Sequence, residues 1–407
     1  MMQQVAQAPL LTNVEKCLAW IESQMLTFDR GYNGIYERIR IDENVRVNWV
    51  RPDCNTEIAR VLTLYKQVAG DDRYDALNDN IKNWLLRAQD DDELSAWYGS
   101  FPFYLVDGYE KQSRSGYYIY QNDNGRILLG LLHMHELAPD ERLLRSAIKL
   151  ANYWVSIQRP DGTFYRNDGK TQPYQLGPDF VGWMASGLLK LSAVAGNETY
   201  RAAALKAFDY YLTLQLEDGR MLTSYELMKT EDWRPVSSET SKAVYAFAVA
   251  YQETGDPKFA AALEKAGRYV LRLQHEDGGI LNNDAQTKEA ALQNNEQLCD
   301  LVYTQGFALM ALFEAWKASG DAAYLQSAEK LAGFLASIQC SGESPLWDGA
   351  WRGSYNAYTR EWDGRANQNN HIDEGGMYSV YTGWCASTIM YGMLLLLRDR
   401  QAASAAI

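Results

Sequence analysis

The stretch Gln158-Arg-Pro-Asp-Gly-Thr-Phe recurs as Gln215-Leu-Glu-Asp-Gly-Arg and as Gln274-His-Glu-Asp-Gly-Gly. Each copy closes an amphipathic segment, and comparable segments elsewhere also end in glutamine. The six closing residues are Gln24, Gln89, Gln158, Gln215, Gln274 and Gln339. A period of roughly 55–70 residues indicates one supersecondary unit repeated along the chain. The fold is therefore interpreted from this repeat.

Each unit contains a second segment that is apolar nearly all round and rich in Gly and Ala. These segments begin near Asp53, Asp123, Asp179, Ser238, Tyr303 and Tyr381. Apolar residues on every side indicate a buried helix, whereas the Gln-terminated segments carry a charged face and belong outside. Six inner and six outer helices predict an all-α fold, a closed (α/α)6 toroid that forms one domain over residues 1–407.

The connections between the helices predict which end of the toroid binds ligands. Inner helices lead to outer ones through short turns that begin with Gly70, Gly196, Gly255 and Gly320. Gly suits the end of a helix, and the Asp or Asn that follows can cap the next one. The return loops are long, around 28–52, 90–120, 276–300 and 340–378, and long loops in a compact domain are usually functional. They all fall on the rim where the inner helices begin.

The repeated glutamines are expected to have a structural role. A buried side-chain amide needs hydrogen-bond partners, and the nearest candidates are the backbone groups of the Asp-Gly turn that follows. We therefore predict that Gln158, Gln215 and Gln274 each bond their own turn.

Composition limits the possible partners. A net charge of −13 makes nucleic acid or an anionic membrane surface an unfavourable partner. The chain has no apolar run of about 18 residues and its first residues lack the pattern of a signal peptide, so a cytoplasmic location is expected. Five scattered Cys favour reduced thiols. The four His show no zinc spacing, and neither a metal nor another cofactor is predicted.

The predicted rim is rich in aromatic residues, arginines and carboxylates. Trp and Tyr rings stack on the apolar faces of sugars, while Asp, Asn and Arg bond hydroxyl and carboxylate groups. The loops therefore predict a saccharide site, although the aromatic residues could also simply pack the loops onto the barrel. The candidate substrate-binding residues in these loops are Trp49, Arg51, Trp351, Arg352, His371 and Tyr378.

Carboxylates open four of the inner helices, namely Asp53, Asp123, Asp179 and Glu239. Each one alone is an ordinary helix cap or first-turn residue. Together they encircle one pore, and a carboxylate pair in an apolar site is what glycoside hydrolysis needs, because burial keeps one group protonated while the other stays ionised. Asp53 and Glu239 are predicted to bind substrate.

With these features the chain resembles the six-hairpin α/α-toroid carbohydrate-active enzymes, and within them the unsaturated glucuronyl hydrolase type. Members of that family place one catalytic Asp at the start of the second inner helix and another at the start of the third. The matching residues here are Asp123, in Asn-Asp-Asn-Gly-Arg, and Asp179, in Gly-Pro-Asp-Phe. The resemblance implies that Asp179 protonates a C4=C5 double bond and activates water. Asp179 is thus predicted to be the principal acid/base, and Asp123 its charge-setting partner.

The predicted function is a glycoside hydrolase acting on oligosaccharide fragments, with uronate-containing fragments among the candidates. Arg46, Arg51, Arg352 and Arg365 could hold a uronate carboxylate. A polysaccharide lyase or uronate epimerase would instead use His371, Tyr378 or Tyr381.

A non-catalytic toroid that binds a saccharide or a protein is also consistent with these features. A terpenoid cyclase, suggested by the Gln-x-x-Asp-Gly turn, is the least favoured function, because the chain lacks the Asp-x-Asp-Asp acid motif. Asp71-Asp-Arg-Tyr-Asp75 superficially matches a diphosphate–magnesium motif but belongs to a short turn on the opposite rim. His133, His135 and His275 are predicted to be structural. The sequence makes no prediction of oligomeric state.

Overall fold

The computed structural model describes residues 7–27, 33–106, 119–164, 176–229, 235–283, 298–364 and 376–405. Within these ranges, outer and inner helices alternate along the chain. The outer helices are α1 (Gln7–Trp20), α3 (Asp75–Ala88), α5 (Glu141–Ser156), α7 (Glu198–Leu212), α10 (Pro257–Arg272) and α12 (Ala322–Ser337). The inner helices are α2 (Pro52–Ala69), α4 (Gln121–Leu137), α6 (Pro178–Ala195), α9 (Val236–Thr254), α11 (Gly306–Ser319) and α13 (Thr388–Ala405). A short helix, α8 (Ser224–Met228), precedes α9.

The inner helices form a closed ring. Each packs against the next in the order α2, α4, α6, α9, α11 and α13, and α13 packs back against α2. The first and last outer helices meet, because α1 packs against α12, and α1 also packs against the inner helix α13. The prediction of an (α/α)6 toroid, with its inner helices beginning near the six predicted residues, is confirmed.

Three helices carry a π-helical turn at the rim. Leu301–Gln305 precedes α11, Thr382–Ser387 precedes α13, and Ile21–Met25 follows α1. Such turns are uncommon and are frequently found near functional sites.

The predicted turns between inner and outer helices are present. Gly70, Gly196, Gly255 and Gly320 all end inner helices in the left-handed conformation, with φ between 61° and 73°. Asn197, Asp256 and Asp321 then cap α7, α10 and α12, because each side chain accepts a hydrogen bond from a backbone N–H two residues on.

The glutamines bond their own turns, as predicted, and also join neighbouring outer helices. The Nε2 of Gln215 donates to Gly219 O at 3.4 Å and to Ala262 O of α10 at 2.9 Å. Gln158 and Gln274 bond their turns and the next outer helix in the same way. Gln89 and Gln339 repeat the pattern, so that these glutamines tie successive outer helices together around the ring.

The rim carries short strands that the all-α pattern did not predict. They are β1 (Arg38–Arg40), β2 (Val45–Arg46), β3 (Trp49–Val50), β4 (Leu105–Val106), β5 (Leu298–Asp300), β6 (Arg352–Asn356), β7 (Glu361–Trp362) and β8 (Gly376–Tyr381). One sheet runs in the order β2-β1-β8-β6-β5, with β7 also paired to β6, and β3 pairs with β4. All strand pairs are antiparallel. The larger sheet joins the first and last loops of the chain, and β3 with β4 joins the loops that precede α2 and α4, on the side where the inner helices begin.

Candidate active site

The four predicted carboxylates all lie in the first turns of inner helices and are buried. Asp53, Asp123, Asp179 and Glu239 expose only 1%, 3%, 1% and 0% of their surface. Buried charges are costly unless they are paired, so their partners define the chemistry of this end of the toroid.

The starts of α4 and α6 are held close together by Gly125. A Cβ at this position would lie 2.6 Å from the backbone N of Met184 on α6, closer than atoms approach in proteins. Glycine therefore permits the contact between these helices and brings Asp123 and Asp179 to the same part of the rim. The Asn122 side chain joins them, because its Oδ1 accepts from Asp123 N at 2.7 Å and its Nδ2 donates to Asp179 Oδ2 at 3.3 Å.

Asp179 lies among hydrogen-bond donors. Its Oδ1 is 3.0 Å from Lys242 Nζ on α9, and it accepts a hydrogen bond from Trp183 Nε1 at 3.1 Å. The Asp179 N–H donates to Glu239 Oε2 at 2.9 Å, and Ser224 holds the other oxygen of Glu239. These donors stabilise the ionised form of the Asp179 carboxylate.

Arg51 connects the other carboxylates of the rim. Its guanidinium donates to Asp53 at 2.9 and 3.1 Å, to Glu37 at 2.8 Å and to Asp123 at 2.8 Å. Burial alone would lower the pKa of Arg51, but Asp123, Asp53 and Glu37 together raise it above its usual value. Four of the five N–H donors of Arg51 thus bond carboxylates of the rim, and a role in binding substrate stays a prediction.

A second arginine continues the network toward the middle of the ring. Arg126 Nη2 lies 3.1 Å from Glu57 Oε1, and its guanidinium stacks over Trp384 at 4.1 Å. Trp384 Nε1 in turn donates to Asp53 Oδ2 at 2.7 Å. Glu57 also pairs with Arg60.

His133 lies further along this network, away from the carboxylate pair. Arg60 Nη1 is 3.3 Å from His133 Nδ1, and since arginine can only donate, this ring nitrogen is the acceptor. Burial, followed by the charge of Arg60, lowers the pKa of His133 well below its usual value. His133 is therefore a neutral core residue; its position agrees with the predicted structural role.

Carboxylates outnumber cations among the described buried charges of this network. The carboxylates are Glu37, Asp53, Glu57, Asp123, Asp179, Glu239 and Asp300, and the cations are Arg38, Arg51, Arg60, Arg126 and Lys242. Burial raises the pKa of Asp123 well above its usual value although Arg51 opposes the shift, and burial likewise raises the pKa of Asp300 to about 6. The excess of carboxylates thus favours a protonated group beside the ionised Asp179.

Trp49 belongs to an aromatic cluster beside Arg51. Its ring stacks on Tyr104 with centroids 4.4 Å apart, and Phe103 meets it edge-on at 6.1 Å. The Arg51 guanidinium lies 4.4 Å from the Phe103 centroid. Trp49 is half-buried, so part of it stays exposed at the rim.

The remaining predicted residues lie apart from this network. Trp351 is fully buried and donates its Nε1 proton to Leu335 O, which matches the possibility that rim aromatics pack the loops. Arg352, on β6, pairs with Glu343. Tyr378 is 41% exposed on β8. His371 and Arg365 lie outside the described residues, and Arg46 donates to Gln24 O.

Several central residues were not predicted, above all Lys242, Arg126, Glu37 and Trp384. Lys242 and Arg126 lie in inner helices that are predicted to be buried, and a charge in that setting needs a buried partner. That pattern could have identified both of them. Glu37 precedes a short strand and Trp384 lies in a π-helical turn, and neither position has a recognisable sequence pattern.

Within the described ranges, no group of three or more His, Cys, Asp or Glu side chains could hold a metal ion. None of the helices in these ranges combines the length and apolarity that a bilayer span requires.

Comparison with known proteins establishes the fold. A sugar epimerase from a ruminal bacterium superposes with a TM-score of 0.72 at 12% identity, covering 98% of this chain and 99% of its own. An unsaturated glucuronyl hydrolase specific for heparin gives 0.65 at 12% identity, covering 99% and 98%. This chain has the fold of the six-hairpin toroid enzymes. A GH76 α-mannanase from Bacteroides thetaiotaomicron gives 0.66 at 12% identity, covering 97% of each chain. No protein-family model matches the sequence.

Proposed function

We propose that this protein is a carbohydrate-active enzyme of the glycoside hydrolase type, with Asp179 and Asp123 as its catalytic pair. One observation carries the proposal. Two buried carboxylates open adjacent inner helices and are joined through Asn122, and they differ in their charge environment. Asp179 contacts Lys242, whereas burial raises the pKa of Asp123.

These different environments suggest separate roles for the two groups. Asp179, ionised beside Lys242 and Trp183, accepts a proton from the attacking water. Asp123, whose pKa is raised, donates a proton to the glycosidic oxygen, or to C4 where the substrate carries a C4=C5 double bond. Pairs of carboxyl groups whose proton affinities differ are how glycosidases divide acid and base catalysis. This division departs from the sequence-based assignment, in which Asp179 both protonates the double bond and activates water, because it gives the proton donation to Asp123.

The substrate is an oligosaccharide fragment bound at the rim. Trp49, stacked on Tyr104 beside Phe103 and Arg51, offers an aromatic face suited to the apolar face of a sugar. Because the donors of Arg51 are used by three carboxylates, a uronate would have to find its counter-charge elsewhere. Neutral and uronate-containing fragments therefore both belong in the test.

A sugar epimerase is the second candidate, because one of the structures with the same fold has that activity. The positions of the described histidines do not favour an epimerase. His133 lies deep in the ring between Arg60 and Tyr245, away from the carboxylate pair. The other histidines described are His135, which bonds Asp140, and His275, which belongs to a repeat turn.

The reaction class can be tested by incubating the protein with a library of oligosaccharides. New reducing ends and the ultraviolet absorbance of C4=C5 uronates are followed in parallel. We expect reducing ends to appear, with absorbance lost where the substrate is an unsaturated uronide. A rise in absorbance would identify a lyase, and a changed sugar without cleavage would identify an epimerase; either result would contradict the proposal.

A further inference from the structure

We propose a second saccharide-binding site, outside the ring of carboxylates, in an open groove on the wall of the toroid. The groove has a volume of about 540 Å³, within the range of small-molecule sites. It lies between the end of α12 and the β6–β7 hairpin. Its lining includes Ser341, Glu343, Tyr355, Arg360, Glu361 and Trp362.

The floor of the groove is a rigid aromatic platform. Trp362 and Tyr355 are cross-strand partners on β7 and β6, and their rings meet edge-on with centroids 5.2 Å apart. Tyr355 in turn meets Phe334 of α12 edge-on at 5.6 Å, which anchors the pair to the toroid. Trp362 is half-buried, so that part of its ring remains available for stacking on a pyranose.

The groove also presents charged groups that the fold does not use. The side chains of Arg360 and Glu361 have no hydrogen bond or ion pair within the described part of the chain, while Glu343 is paired with Arg352. Arginine donors and carboxylate acceptors beside an aromatic face suit the hydroxyl groups of a sugar. Because the groove has, among the described residues, one unpaired carboxylate, Glu361, and one unpaired cation, Arg360, its charges balance, and a neutral pyranose fits it better than a uronate.

Arg360 is held in a backbone conformation that glycine would adopt more easily. Its φ is +61°, in the left-handed region. Its N–H donates to Asn356 O at 2.9 Å, and the Asn356 side chain accepts from the N–H groups of Tyr358 and Thr359. A non-glycine residue in this region is disfavoured and often marks a functional site. The turn therefore retains a long cationic side chain at a cost in stability.

The test uses the Asp179→Asn protein, so that binding is measured with turnover strongly reduced. Titration calorimetry with cellotetraose, mannotetraose and an unsaturated uronate disaccharide reports sites and affinities. We expect a neutral tetrasaccharide to occupy a site that Trp362→Ala weakens at least about tenfold, in line with the loss of one stacked ring. Arg360→Gly should weaken the same site while raising Tm, because it relieves the left-handed arginine.

Lys229→Gly is the matched control. Lys229 is also a left-handed non-glycine residue, with φ +56°, in the turn after α8. Lys229→Gly should raise Tm without changing the binding of the probes. The proposal of a second site is contradicted if Trp362→Ala and Arg360→Gly both leave the binding of every probe unchanged. It is also contradicted if no probe binds outside the rim. Because this assay reads binding and not product formation, its failure is distinct from a failure to find hydrolysis by the wild-type protein.

Discussion

Lys242 is the residue on which the charge of Asp179 depends most directly. It projects from α9, is buried, and places its ammonium group 3.0 Å from the Asp179 carboxylate. Removing one partner of a buried ion pair leaves the other uncompensated, which typically costs about 3–5 kcal/mol. Removing Lys242 should therefore affect both the stability of the folded protein and the catalytic role of Asp179.

We predict that Lys242→Met lowers the free energy of unfolding by about 3–5 kcal/mol. It should also move the acidic limb of the pH–rate profile to higher pH, because Asp179 loses the cation that favours its ionised form. Denaturant unfolding and the pH profile are the measurements. Lys190→Met is the control, since Lys190 is partly exposed and lies 3.8 Å from Glu253; it should cost under about 1 kcal/mol. Equal effects of the two changes would argue against this role for Lys242.

Asp300 gives a prediction about pH and stability. Burial raises the pKa of Asp300 from 3.8 to about 6. Between these two pH values the folded protein holds a proton on Asp300 that the unfolded chain has lost. The contribution of protonated Asp300 to stability is therefore fully present below about pH 4 and is lost as pH rises through about 6. The loss should approach about 3 kcal/mol.

Asp300→Asn should remove this part of the pH dependence, because an amide does not titrate and its single oxygen can still accept the hydrogen bond from Tyr303. Unfolding free energies of both proteins between pH 4 and 7 are the measurement. Parallel curves for the two proteins would show that Asp300 does not hold the proton.

At the scale of elements, the glutamine turns hold neighbouring hairpins together. We predict that Gln215→Ala lowers the free energy of unfolding by about 1–2 kcal/mol, because carbonyl groups of Gly219 and Ala262 lose their donor. Activity per folded molecule should not change, as the turn belongs to the outer layer. Gln252→Ala, at an exposed position, should change neither quantity. A loss of activity at unchanged stability would make Gln215 a site residue.

The sequence predicted the helices well because their determinants are local. The apolar pattern of each inner helix and the Gly–Asp turns act within one hairpin, and the structure follows them. The rim strands were not predicted, because β1 pairs with β8 from the opposite end of the chain. The pairing of Asp179 with Lys242 was missed for the same reason, since the two residues lie on different hairpins. Asp123 and Asp179 could be named because both open adjacent inner helices.

At the scale of the whole molecule, the outer layer closes through a contact between distant parts of the sequence. Asn13 of α1 donates to Ala336 O at 3.2 Å, and Gln339 donates back to Asn13 O at 2.8 Å. Because the last hairpin is tied to the first in this way, the ring is expected to unfold as one unit.

We predict that Asn13→Ala lowers the free energy of unfolding by about 1–2 kcal/mol and leaves a single transition. Asn83, whose amide meets Arg142 on the exposed surface, is the control and should change stability by less than about 0.5 kcal/mol when replaced by Ala. Circular dichroism and fluorescence melts that no longer coincide in Asn13→Ala would instead show that the hairpins unfold separately.

We propose that Asp179 and Asp123 catalyse cleavage of a glycoside. The most direct test is to measure the pH–rate profiles of Asp179→Asn and Asp123→Asn on a substrate identified from the library. Each change keeps the size of the side chain, so the fold should survive while turnover falls on the order of 10²–10⁴-fold. In the residual activity, Asp179→Asn should lose the acidic limb and Asp123→Asn the alkaline limb. Near-normal turnover by Asp179→Asn would contradict the account, and Asp179 would then be only a first-turn residue of α6.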